Sequence, residues 1–240
     1  MDKRLVLLVL ALVFLSLGLG FTAKIEVFTA DNVVQMVKEK IIKTRSFSGS
    51  FVYVFNNRSF TGEIKYKSPN KFLMNYMTKN NSGAIVESGQ KIVSDGKSLW
   101  LVFKDQNVAI NESLEKSKHN PMIGWNIERL MKEYVPTVPK SGYKVQYGNA
   151  IAYKIIFVPK SNTAGFRYIN MIVNDGGDIQ KVEAQNQIGG TIELAIKYDA
   201  FNQTIADEDF EYEPDEDTQI YENILLPKGQ NLSDIDNPQE

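Results

Sequence analysis

From Phe47 onward, apolar and polar residues alternate with a period of two. Phe60, Gly62, Ile64 and Tyr66 alternate with Thr61, Glu63, Lys65 and Lys67, and Ile192, Leu194, Ile196 and Tyr198 frame Glu193 and Lys197. Successive side chains of a β-strand point to opposite faces, so each run has one oily and one wetter face. The same reading predicts strands over residues 47–55, 72–77, 84–87, 91–94, 99–103, 143–146, 152–158, 166–173 and 179–184. Asn56-Asn57, Asn80 to Gly83, Asp95-Gly96, Gly148-Asn149 and Asp175 to Gly177 are turn signals between sequential strands. The result is a long, mostly antiparallel meander. So many strands with so few helices between them predict a mainly β chain with helices (α+β), built on one strongly curved sheet or an open barrel.

Two segments depart from this period. Val33, Val37 and Ile41, with Val34 and Ile42, form the apolar stripe of a helix capped by Thr29 or Asp31, which is expected to lie on the sheet. Between Asp105 and Gly142 the alternation stops, and Asn120-Pro121 reads as an N-cap and first-turn pair for a helix running to about Tyr134. Met122, Ile123, Ile127, Leu130, Met131 and Tyr134 cluster on one side of that helix, with Trp125 nearby. It is either a plug in the open end of the sheet or a movable lid over an apolar cavity. Methionine adapts to ligands of varied shape, which suits the lid.

The N-terminus adds a setting. Asp2, Lys3 and Arg4 precede an apolar run from Leu5 to Leu19, the form of a secretory signal, with cleavage expected after Gly20 or Ala23. A retained membrane anchor is the competing reading, for which the run is somewhat short. The expected organisation is a signal over residues 1–23, a single domain over 24–214 and an acidic tail over 215–240. The chain has no cysteine, which excludes disulfides, thiol chemistry and an N-acylated cysteine anchor. A net charge of −2 gives no general attraction for nucleic acid or an anionic membrane.

Candidate catalytic chemistry is sparse. His119 is the only histidine and sits in a polar loop with no nucleophile motif, so neither a Ser/His/Asp relay nor a zinc site has support. Phosphate loops and dinucleotide fingerprints are missing as well. The acidic run from Asp207 to Asp217 lacks the spacing of a calcium loop and reads as a solvated edge strand or docking face. Asp175 to Asp178 reads as a hairpin turn. A non-enzymatic protein without cofactor or metal is the expectation.

The stretch from Gly62 to Val102 carries a resemblance. Gly62-Glu63-Ile64, Tyr66, Ser68-Pro69-Asn70-Lys71-Phe72 and Ile92-Val93-Ser94-Asp95-Gly96-Lys97-Ser98-Leu99-Trp100 resemble, in order and spacing, the LolA family of periplasmic lipoprotein carriers. Asn120-Pro121-Met122-Ile123 resembles the start of that family's lid region. Asp175-Gly176 through Ile179 and Val182, with Ala200-Phe201-Asn202, resembles its last hairpins, and Phe210 and Pro214 its late F-x-x-x-P ending.

The resemblance implies an incomplete antiparallel β-barrel, lined with apolar side chains and closed by an N-terminal helix and a lid helix. Such a protein works as a monomer and carries acylated lipoproteins from an inner-membrane exporter to the outer membrane, where a receptor is a further partner in some systems. It implies lipid contacts for Phe72, Met74, Met122, Ile123 and Trp125. Alternation adds Phe51, Tyr53, Ile64, Tyr66 and Trp100, for which ordinary core packing is the equal alternative. Ser68 stands where proteobacterial carriers have an arginine that holds the lid by its backbone carbonyls. Either Lys67 or Lys71 takes that place, or the cavity stands more open. A periplasmic sensor or regulator of the MucB/RseB type, binding lipid or a protein partner with the same fold, is the alternative function.

Overall fold

The computed structural model describes residues 28–114, 127–162 and 164–222. Helix α1 (Ala30–Lys43) is capped by Thr29, whose backbone N–H donates in return to the Asn32 side chain at 2.7 Å. Six strands follow: β1 (Ser46–Phe55), β2 (Arg58–Lys67), β3 (Lys71–Lys79), β4 (Ile85–Asp95), β5 (Ser98–Phe103) and β6 (Val108–Ser113). Helix α2 (Ile127–Glu133) runs directly into β7 (Tyr134–Thr137). Then come β8 (Lys144–Tyr147), β9 (Ala150–Pro159), β10 (Phe166–Val173), β11 (Ile179–Asn186), β12 (Thr191–Phe201) and β13 (Gln219–Glu222).

All the strands join one sheet in the order β13-β6-β5-β4-β3-β2-β1-β12-β11-β10-β9-β7, with β8 beside β7 on the same edge of β9. Neighbours pair antiparallel except β13, which adds parallel to β6. Two meanders thus meet where β12 returns to β1, placing Ile196 and Gly62 on either side of Phe51. The sheet is large and curved and is not closed into a barrel.

Directly paired residues share a face, so the registers define one inner face across the whole sheet. Phe47, Phe51 and Tyr53 of β1 align with Tyr66, Gly62 and Phe60 of β2 and with Phe201, Ile196 and Leu194 of β12. Helix α1 lies on the half of this face built by β9 to β11, burying Val33, Val34 and Val37 against Ile155, Phe157, Met171 and Val173. Each such valine stabilises by about 1.5–3 kcal/mol. The last turn of α1 is fixed by Lys40, whose Nζ lies 2.9 Å from Asp178 and 3.8 Å from the Phe201 ring centroid. Asp178 ends the β10–β11 hairpin turn, where Asn174 accepts the N–H groups of Gly176 and Asp178. Gly177, at φ 84°, brings that turn so near α1 that a Cβ would lie 2.5 Å from the Met36 carbonyl oxygen.

Three expectations are corrected. The strands expected over residues 84–87 and 91–94 are one strand, β4, which begins at Ile85 and is interrupted by a bulge opposite Tyr76. The stretch expected to lack alternation contains β6 and β7. In β6 the inner positions are Val108, Ile110 and Glu112, and the last of these, a fully buried carboxylate, breaks the apolar pattern. Ile42, assigned to the apolar stripe of α1, is 82% exposed, because the stripe turns away from the sheet after Ile41. The Asn120-Pro121 cap, the N-terminal signal and the end of the acidic tail lie outside the described residues. No helix among the described residues is long and apolar enough to cross a membrane.

Candidate functional site

The other half of the inner face, built by β1 to β6, carries Phe47, Phe51, Ile64 and Met74, with Ile196 of β12, as a second apolar cluster. No described helix fills it as α1 fills the first. Toward the β1–β2 turn this cluster opens into a groove of about 200 Å³ lined by Tyr53, Phe60, Tyr76, Gln90, Ile92, Leu101 and Phe103, with Lys91 and Val102 at its edge. Phe60 stands between the two tyrosines, 6.2 Å from the Tyr53 ring and 6.1 Å from the Tyr76 ring. Gly62 sets the floor: a Cβ there would collide with the Asn75 carbonyl oxygen and come within 2.7 Å of the Phe51 ring. Its lack of a side chain lets Phe51 and Tyr76 meet edge to face at 5.2 Å.

The expected contact residues fall into three groups. Phe51, Ile64, Phe72 and Met74 lie on the inner face and are closed in the core, while Tyr53 and Tyr66 share that face half-buried. Trp100 is opposite Val93 and Asn111 on the outer face, where its ring meets Tyr212 edge-on at 5.3 Å, away from the others. Met122, Ile123 and Trp125 lie outside the described residues. Phe60, Tyr76, Ile92, Leu101 and Phe103 line the groove without having been singled out. Their signal was parity, since Tyr76 continues the Phe72, Met74 series and Phe60 begins the Ile64, Tyr66 series.

Burial raises the Tyr53 hydroxyl above its ordinary pKa, and burial followed by the nearby Tyr53 pushes Tyr76 up to about 12. Both stay protonated through neutral pH. The groove is thus mainly apolar and open to solvent, with Lys91 as the one charged residue of its lining, and suits hydrocarbon rather than acid–base chemistry. Among the described residues no group of His, Cys, Asp or Glu could hold a metal ion.

The outer face of β2 to β5 is covered by the acidic segment. Lys67 Nζ donates to the Ile205 carbonyl at 2.7 Å and to Asp207 at 2.6 Å, Lys71 reaches Asp207 at 3.1 Å, and Lys65 reaches Asp209 at 3.2 Å. Phe210 is fully buried, and Lys91 lies 4.9 Å above the Tyr212 ring. Lys67 and Lys71 therefore latch this strap on the outer face. A cleft of about 280 Å³ between strap and sheet is larger than the apolar groove, but it mixes Lys91 and Lys104 with Glu87, Glu211 and Glu213. Hydrocarbon has no place among those charges.

The sequence matches the family described as "Outer membrane lipoprotein carrier protein LolA" over residues 42–213. The chain belongs to the LolA family. The match runs from the end of α1 through the strap, so both halves of the inner face fall within it. No curated protein sequence matches the chain. Among solved structures, a LolA superfamily protein from Nitrosomonas europaea is 14% identical with a TM-score of 0.40, covering 78% of this chain and 99% of its own. The lipoprotein LppX of Mycobacterium tuberculosis is 10% identical with a TM-score of 0.48, covering 74% of this chain and 97% of its own. The MucA/MucB complex of Pseudomonas aeruginosa matches at 14% identity and a TM-score of 0.44 over 80% of this chain and 63% of the matched one. Membership of the LolA family rests on the sequence match.

Proposed function

We propose that this LolA-family protein is a periplasmic carrier that shelters the acyl chains of lipoproteins on its inner face and moves them from the inner to the outer membrane. The observation that carries the reading is the half of the inner face that no described helix covers, where the Phe51, Ile64 and Met74 cluster continues into the open groove of Tyr53, Phe60, Ile92 and Leu101. Each methylene sheltered from water is worth about 0.8 kcal/mol, so an acyl chain crossing an aqueous compartment needs such a surface. At about 200 Å³ the groove is smaller than the roughly 300–1,000 Å³ of typical ligand pockets. Loading therefore parts Phe51, Ile64 and Met74, which now close on one another, and these join the buried Phe72 and the half-buried Tyr53 and Tyr66 as the proposed contact set. Trp100, beneath Tyr212 on the outer face, is not in it.

Cargo leaves again because the apolar part of the face is non-directional and its grip scales with the area it covers. The experiment is transfer. The purified protein, mixed with a triacylated lipoprotein in detergent that is then removed, holds the lipoprotein in a soluble one-to-one complex. Failure with several lipoproteins removes the carrier reading. Binding of an anti-sigma factor by the same protein would replace it with the regulatory one.

A further inference from the structure

The groove is not a purely hydrocarbon surface. Apart from Lys91, whose Nζ lies over the Tyr212 ring on the outer face, three side chains along it carry hydrogen-bonding groups: the hydroxyls of Tyr53 and Tyr76 and the carboxamide of Gln90. None of the three makes a side-chain hydrogen bond among the described residues. Phenylalanine would pack equally well at both tyrosine positions, as Phe60 between them and Phe103 across from Gln90 illustrate. A tyrosine hydroxyl set into an apolar surface normally finds a partner, and these half-buried hydroxyls have only solvent to pair with. Both hydroxyls remain protonated and available as donors, as does the Gln90 amide.

These donors occupy one end of the groove only. Along β3 the inner face runs from Tyr76 to Met74 and Phe72, and along β4 from Gln90 to Ile92, so polar groups stand at the mouth and hydrocarbon lies beyond them. The fitting occupant has the same order of polarity: hydrogen-bond acceptors attached directly to a hydrocarbon chain.

We infer that Tyr53, Tyr76 and Gln90 form a carbonyl-reading collar, which takes the ester or amide carbonyls of an acyl group at the mouth of the groove while its chain runs inward toward Ile64 and Met74. This inference rests on the carrier reading and adds to it a ligand class and a direction of entry. The collar selects acylated molecules over other apolar material of the same bulk, because carbonyls replace the water that the hydroxyls bind in the empty groove. Discrimination through such contacts comes from the donors left unpaired when the carbonyl is missing.

The test compares dioctanoylglycerol with its ether analogue dioctylglycerol, which has the same chains and no carbonyls, by calorimetric titration of the purified protein. The protein is expected to favour the ester about tenfold, the effect of two modest hydrogen bonds. In the Tyr53→Phe, Tyr76→Phe double variant the ester-to-ether ratio is expected to fall to about one, a change that a packing role alone would not produce. No ester preference in the unaltered protein, or a preference that survives the double substitution, overturns the collar and leaves the carrier reading standing. Absence of binding by both probes removes the carrier reading and the collar with it.

Discussion

Gly62 shows how much of the inner face depends on one missing side chain. Phe51, Gly62 and Tyr76 lie side by side on β1, β2 and β3, and only glycine lets the two rings meet across the middle strand. Gly62→Ala therefore forces an overpacked core and is expected to cost about 1–3 kcal/mol. In a chain of this size that lowers the melting temperature by about 2–4 °C per kcal/mol. An unchanged melting curve would mean that the rings are not held as described. Residue identities alone announce little of this: Gly62 was legible as an inward position, but the contact it permits joins three strands. Parity also failed to choose a face for Trp100. Val93 and Ser94, neighbours in β4 that point to opposite faces, are both fully buried, so alternation there no longer separates inside from outside.

At the scale of elements, the strap is the largest feature that local pattern could not reveal. Its contacts join Lys65, Lys67 and Lys71 to Asp207 and Asp209, with 140 positions between the partners of the Lys67–Asp207 bond. The hydrophobic anchor and the ion pairs should contribute unequally. Phe210→Ala, which empties a fully buried ring site, is expected to destabilise by about 3–5 kcal/mol. Asp209→Asn, at a partly exposed pair, is expected to cost less than about 1 kcal/mol in chemical denaturation. The reverse order would contradict this account of the strap. Hydrogen bonds from Lys67 and then Lys71 hold the Asp207 carboxyl below its ordinary pKa. A carboxyl whose folded value is lowered contributes fully above its unfolded value, about 3.9, and loses that contribution as pH falls through the folded one. The stability gap between the protein and its Asp207→Ala variant should thus be constant at neutral pH and close below about pH 4. A gap that does not change through the acid range, or closes near neutrality, would show that the carboxylate is not the group that matters.

The strands themselves were far more legible, because Asn and Gly turn signals and period-two runs are local. The β6 strand escaped notice through its buried Glu112, and β7 through its shortness and Pro136. For the whole molecule, the meander, the curved sheet and the N-terminal helix follow from pattern. Which half of the inner face α1 covers does not, since it depends on the Lys40–Asp178 pair and the close approach at Gly177. That division matters most for function: one half is a helix-packed core and the other opens into a groove. The most direct measurement places a photo-crosslinking residue at Leu101 in the groove or at Val52 on the outer face of β1, which is 40% exposed. After loading with a triacylated lipoprotein, crosslinks to the acyl chains are expected from Leu101 and not from Val52. Crosslinks from Val52 alone, or equally from both positions, would contradict the claim that the inner face carries the lipid.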